Sequence, residues 1–393
     1  MKNPFDAYDH LPPDPIFFIS AQAAKDQRSE KVDLTIGIYK TAELESVIFK
    51  SVKKAEKKLF DSQTNKDYLS IGGHSALIDA SMRLVFGDDL CQRDICGIQS
   101  LGGTGALRLG ADLLAETIKA PVYISSPTWV NHHNIFSRAG FTIQQYPYYD
   151  LHHQSLNFDG FCHSLNTAPR GSIIVLHGCC HNPSGADPSI EEWREISEIC
   201  HARNLIPFFD LAYQGFGNGL DEDVQAIRLF AKEHHPMLVA TSFSKNLGLY
   251  GERVGTLLVL SPKACGVESH LKAIARASYS NPPLHGALVA AHTLLDADLR
   301  SSWQQELKEM RERITSMRNA LASALSAECK SGDFSYLTKR NGMFCYLNLT
   351  PEQIEDLKLN QAIYLTQSGR VNVTGLNTQN IPYVAQSIAR VVG

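Results

Sequence analysis

Six short runs that are apolar along nearly their whole length constrain this chain more than any single residue does: ICGIQSL from Ile95, PVYIS from Pro121, SIIVLHG from Ser172, IPFFDLAY from Ile206, MLVAT from Met237 and VGTLLVL from Val254. A strand with one wet face alternates polar and apolar residues, so runs without alternation suit strands covered on both sides. Helical patterns lie between them, which predicts an α/β architecture with a mainly parallel sheet sandwiched by helices. At 393 residues and 44% hydrophobic content, the chain is long enough for more than one structural unit. The stretch WQQELKEMRERITSMRNALASAL from Trp303 reads as one long amphipathic helix, followed by the strand-like MFCYLNL at Met343 and a shorter helical segment after Thr350. The expected organisation is a large domain over 46–302 and a smaller α+β domain over 303–393.

The formal net charge of -4 offers no basic footprint for nucleic acid or an anionic membrane surface, so small molecules are the expected partners. Nine cysteines show no repeated spacing of a disulfide framework, and Cys179 and Cys180 are adjacent, which suits a reducing compartment. Cys179, Cys180 and His181 lack a second ligand pair at zinc-finger spacing, so no metal is expected. The apolar Ile16–Ile19 is too short for a secretory core and no run approaches membrane-spanning length. A soluble, cytoplasmic protein is expected.

The chemistry concentrates in SFSKNLGLYGERVG, Ser242 to Gly255. Lys245 follows a buried strand, where desolvation turns a lysine into a nucleophilic amine. Ser242, Ser244 and Arg253 around it look like a phosphate site beside a Schiff-base lysine. A second phosphate element is GGTGALRLGADLL at Gly102, where a strand ends and a helix begins with free N–H groups at its positive end. It lacks the full GxGxxG pattern, which disfavours a nicotinamide site. Asp210 in FFDLAYQGF ends another apolar strand, where an isolated carboxylate is costly without a charged partner. Capping of the following turn is the plainer alternative for that carboxylate.

These elements resemble the fold-type I pyridoxal-phosphate enzymes, and within them the aspartate and aromatic amino acid aminotransferase subgroup of class I. The resemblance runs from PPDPIFF to GRVNVTG, with SKN, DLAY, NPP and GRVNV in family order. It implies pyridoxal 5'-phosphate on Lys245, with Gly103 and Thr104 at its phosphate and Asp210 paired with a protonated pyridine nitrogen. Tyr213 and Asn182 would face the phenolate oxygen, Trp129 would lie against the ring, and His132 would hydrogen-bond Asp210. Arg370 would grip the substrate α-carboxylate and Arg276 a distal carboxylate, with Gly37, Trp129 and Asn182 also lining the substrate. Arg276 and Tyr68 would come from the partner subunit of a homodimer, and residues 1–45 would join the smaller domain. His133, His152, His153, His234 and His235 have no such role and are expected at the surface.

Two departures from the family pattern stand out. GIYKTAELES lacks the usual acidic and glycine pattern after its tyrosine and lysine, and Gly251 stands where asparagine is common. The implied activity is ping-pong transamination of aspartate, aromatic amino acids, or both, with 2-oxoglutarate as acceptor. A lyase or decarboxylase on the same cofactor is the alternative, and a transcriptional regulator would need a basic helix-turn-helix module ahead of the cofactor domain. Thr104, Lys40 and Asn281 resemble the aspartate-type lining, while Arg276 can swing aside for an aromatic ring, so the sequence leaves the substrate open.

Overall fold

A computed structural model of the protein describes residues 3–89, 94–233, 235–329 and 332–393. All six apolar runs contain strands, and a seventh joins them. In chain order these are β1 (Ile95–Leu101), β2 (Val122–Ser126), β3 (Ile143–Pro147), β4 (Ile173–His177), β5 (Ile206–Leu211), β6 (Met237–Ser242) and β7 (Val254–Leu260). They form one sheet in the order β1-β7-β6-β5-β4-β2-β3. From β6 to β3 every neighbouring pair is parallel, whereas β7 runs antiparallel to both β1 and β6. The strand missing from the sequence reading, β3, is an edge strand whose IQQYP leaves both glutamines exposed, so it has no apolar run to find.

Both faces of the sheet are buried, as the lack of alternation requires. Phe208, Leu238 and Val175 point into one core, while their chain neighbours Phe209, Val239 and Leu176 point into the other. Each such side chain contributes about 1.5–3 kcal/mol on burial, which is why the centres of β4, β5 and β6 are apolar. The architecture is a mainly parallel sheet flanked by helices.

The long helix spans Ala297–Glu328, starting ahead of Trp303 because Asp296 accepts the N–H groups of Asp298 and Leu299 and caps it there. The boundary expected at 302/303 therefore falls inside this helix. Beyond it, Phe344–Tyr346 pairs antiparallel with Arg370–Asn372, and Thr350 closes a capping box on the helix Pro351–Gln361. Near the N-terminus, Val32–Asp33 pairs in parallel with Ile363–Tyr364. That pairing lays the segment after Asp33 beside Arg370, because Asn372 N–H donates to Leu34 O and Arg370 NH2 to Thr35 O.

Candidate active site

In a parallel sheet ligands sit beyond the carboxyl ends of the strands. His177 ends β4, Asp210 lies one residue from the end of β5, and Ser242 ends β6. Because β7 is antiparallel, its start lies at this same edge, with Val254 opposite Leu101 and Gly255 opposite Ser242. This reversal brings Arg253 to the lysine loop. A cleft of about 590 Å³ opens there, lined by Gly103, Thr104, Trp129, Asn182, Asp210, Tyr213, Ser242, Ser244, Lys245, Arg253, Gly37 and Arg370.

The anion-binding corner depends on close backbone approach. The helix Gly102–Ala115 starts directly from β1. Gly102 has φ +68, and a Cβ there would lie 2.8 Å from Arg253 NH2. A Cβ on Gly255 would meet Thr241 O at 2.5 Å and the Gly102 carbonyl carbon at 2.7 Å. Only glycine lets the three segments converge, so a helix N-terminus, the Ser242 and Ser244 hydroxyls and the guanidinium surround one spot. Arg253 NH1 donates to Ser244 Oγ at 3.2 Å. The lysine beside it loses solvent, and burial, followed by Arg253, moves the Lys245 amine down to about 8 despite the opposing pull of Asp210.

Behind the cleft a hydrogen-bond chain sets the charge of Asp210. The backbone N–H of Asn182 can only donate, and it meets His177 Nδ1 at 3.4 Å. Burial keeps His177 neutral by lowering its pKa well below the usual value, so its Nε2 carries the proton toward Thr128 Oγ1 at 3.3 Å. Thr128 then gives its own proton to His132 Nδ1 at 2.8 Å, leaving His132 Nε2–H to face Asp210 Oδ2 at 3.0 Å. Burial alone would raise the Asp210 pKa. The hydrogen bond from His132, with the favourable electrostatics of the two imidazoles and of Lys245, outweighs it, so the carboxyl lies below its ordinary value and stays ionised. A buried anion aimed into the cleft calls for a cationic ligand atom.

Arg370 forms the other end. It is 4% exposed, donates to Asn182 Oδ1 at 3.2 Å and Thr35 O at 2.6 Å, and its guanidinium lies 4.3 Å over the Phe344 ring. Among the described residues its Nε has no hydrogen-bond partner. Gly37 passes so close that a Cβ would meet Phe344 Cζ at 3.0 Å. A fixed planar cation at the wall of a cleft suits a carboxylate.

The model of aminotransferase class I and II matches residues 29–388. The chain belongs to that family. Aspartate aminotransferase of Haemophilus influenzae is 42% identical to it over 98% of this chain and 100% of the relative. Among solved structures, the aromatic-amino-acid aminotransferase of Burkholderia pseudomallei, covalently bound to pyridoxal phosphate, superposes with a TM-score of 0.97 at 41% identity, covering 100% of both chains. The cytoplasmic aspartate aminotransferase of Saccharomyces cerevisiae gives 0.95 at 38% identity, covering 99% of this chain and 98% of that one.

Two expected site residues of this aminotransferase do not reach the cleft of their own chain. Tyr68 is 91% exposed, and the exposed Arg276 is held by Ser280 Oγ and Asn281 Oδ1. Neither Lys40 nor Asn281 lines the cleft, and none of Thr41–Ser46 does. Gly251 has open space where a Cβ would stand, so its departure from asparagine relieves no clash. His133, His152 and His153 are exposed as expected. His235 corrects the reading: it is 3% exposed and bonded to Ser197 Oγ at 2.9 Å, packed against Phe230 in the core. His234 lies outside the described residues.

Cys179, Cys180 and Asp223 come within 4.8 Å of one another. The Asp223 carboxylate, however, accepts the N–H groups of Gly215, Gly217, Asn218 and Gly219, and both thiols lie above their usual pKa, Cys179 through its hydrogen bond with Cys180 and then burial, Cys180 through burial. Its role is to hold the loop after Tyr213, and His181 turns away to Ser125 and Ser184. Sequence reasoning missed Thr128, His177, Tyr250 and Phe344. Thr128 stands one residue before Trp129 and Tyr250 lies within the stretch from Ser242 to Gly255, whereas His177 and Phe344 sit in apolar runs with no signal of their own.

Proposed function

We propose that this aminotransferase transfers the amino group of aspartate, of aromatic amino acids, or both to 2-oxoglutarate, using pyridoxal 5'-phosphate held by Lys245. The observation that carries this reading is the Lys245 amine, depressed to about 8, standing between an anion corner and a buried anion. The residues fit the cofactor: Gly103, Thr104, Ser242, Ser244 and Arg253 would hold its phosphate, and the ionised Asp210 its ring nitrogen. When bound, that cofactor supplies an electron sink for negative charge at the substrate α carbon. Lys245 moves the proton at that carbon, and an amine near neutrality does so in both directions. Arg370 fixes the α-carboxylate, while Trp129 and Tyr213 wall the reacting region. Two half-reactions on one site give ping-pong kinetics.

A second copy of the chain completes the site. Tyr68 and Arg276 are exposed in the single chain, and we assign them to the neighbouring cleft of a homodimer, where Arg276 of the partner subunit reads a distal carboxylate. The proposed division is 46–302 for the cofactor domain, with 1–45 and 303–393 forming the smaller domain. Among the described residues no helix is long and apolar enough to cross a membrane, and the described cysteines are unpaired, which supports a cytoplasmic setting. The relatives above are named aminotransferases, which favours transamination over a lyase or decarboxylase. Borohydride reduction of the protein loaded with pyridoxal phosphate, followed by peptide mass analysis, should place the adduct on Lys245. An adduct on another lysine would remove the core of this reading.

A further inference from the structure

Tyr250 touches three parts of the site at once. Its backbone oxygen accepts from Arg253 NH1 at 3.0 Å, its ring centroid lies 5.1 Å from Lys245 Nζ, and its hydroxyl accepts the backbone N–H of Tyr39 at 2.9 Å. Tyr39 directly follows Gly37 and Ile38, which line the cleft. On its other side that segment is held by Asn372 Nδ2, which donates to Ile36 O and Ile38 O, and by Arg370 at Thr35 O. The segment therefore spans from the carboxylate-binding arginine to the lysine loop, and the Tyr39–Tyr250 hydrogen bond is its link to that loop.

We propose that Tyr250 is a positioning residue that transmits the seating of the Ile36–Tyr39 segment to the amine of Lys245. The Tyr39 N–H holds the hydroxyl, the held hydroxyl fixes the ring, and the ring face presents its negative quadrupole to Nζ. Burial pushes the Tyr250 phenol up to about 12, so it remains a neutral acceptor through the working pH range. The charged and titratable groups facing Lys245 are Asp210, Arg253, Arg370, Tyr213 and Tyr250. The two arginines favour the neutral amine; Asp210 and the ring faces favour the cation. A ring that shifts with the segment therefore tunes the proton affinity of the amine as substrate is enclosed. The inference rests on Lys245 being the reactive amine.

Two variants separate the parts: Tyr250→Phe removes the hydroxyl and keeps the ring, whereas Tyr250→Leu removes both. In the full chain freed of cofactor, the pH dependence of Lys245 acylation by an amine-selective reagent is followed by peptide mass spectrometry. In the cofactor-loaded enzyme, KM for aspartate is measured. Loss of the cation–π contact should lower the acylation midpoint in Tyr250→Leu by about half to one pH unit, a roughly three- to tenfold loss of proton affinity, and releasing the ring from the Tyr39 N–H in Tyr250→Phe should lower it in the same direction by less. KM in Tyr250→Phe should rise several-fold, because the Tyr39 N–H loses its acceptor. An unchanged midpoint in Tyr250→Phe overturns the proposal whatever KM does, and so does a lowered midpoint with unchanged KM. A wild-type midpoint at the ordinary lysine value is a different failure: it would sink the assignment of Lys245 as an activated amine.

Discussion

Replacing Asp210 by asparagine tests the electrostatic half of the site. The side chain keeps its shape, and its oxygen still accepts from His132 Nε2, now 3.0 Å away, so the fold has little reason to change. What disappears is a buried negative charge, 8% exposed. In the free chain the loss is the charge-assisted part of one hydrogen bond, about 1 kcal/mol of stability. Against a cationic ring nitrogen the loss is larger, since removing one partner of a buried charge pair costs about 2–5 kcal/mol. At about 1.4 kcal/mol per tenfold, that is a fall of roughly thirty- to several-thousand-fold in the half-reaction. Single-turnover conversion, read from cofactor absorbance with aspartate and then glutamate, measures the rate, and urea unfolding of the cofactor-free chain measures stability. A variant that turned over at near wild-type rate with full cofactor occupancy would show that Asp210 serves only His132 and the turn after β5. Acid stability follows the same sign: Asp210 has a lowered folded pKa, so its contribution is present above the unfolded carboxylate value and is lost as pH falls through the folded one.

Arg276→Ala should depress single-turnover rates with aspartate and glutamate by about two to three powers of ten while sparing phenylalanine, if phenylalanine reacts; Arg370→Ala should depress all of them. Equal losses for aspartate and phenylalanine in Arg276→Ala would show that this arginine does not read the side chain. With the Lys245 amine at about 8, the rate at which cofactor-free protein takes up pyridoxal phosphate should rise with pH and level off near that value. A rate still climbing tenfold per unit well above it would contradict the depressed amine. The same depression means the unfolded chain binds more protons above about 8, so stability of the free chain gains from Lys245 as pH rises toward the ordinary lysine value.

Much of the cofactor side was legible because each part is local. Lys245, Ser242, Ser244 and Arg253 sit within twelve residues, and a glycine-rich strand-to-helix turn announces itself in any sequence. Asp210 was legible as a charge at the end of an apolar run. Phe344, His177 and Tyr250 were not. A phenylalanine in a strand looks the same whether it fills a core or supports a guanidinium, and Tyr250 acquires its role from a backbone N–H 211 residues away. The buried His235 failed for the same reason. Two adjacent histidines after a helix look solvated, and nothing local announces that the Ser197 hydroxyl on a distant helix offers one of them a partner inside.

By itself the sequence determined that six apolar runs must be covered on both faces, because no pattern of alternation offers water a side, and it determined which charged groups close those runs. It could not determine the direction of β7. Buried parallel and antiparallel strands have the same apolar composition, since burial acts on side chains and direction is decided by which backbone ladder the neighbours leave open. That choice belongs to the tertiary structure. It turns the start of β7 toward the carboxyl edge, and so Arg253 meets Gly102 and Lys245 instead of lying at the opposite end of the sheet.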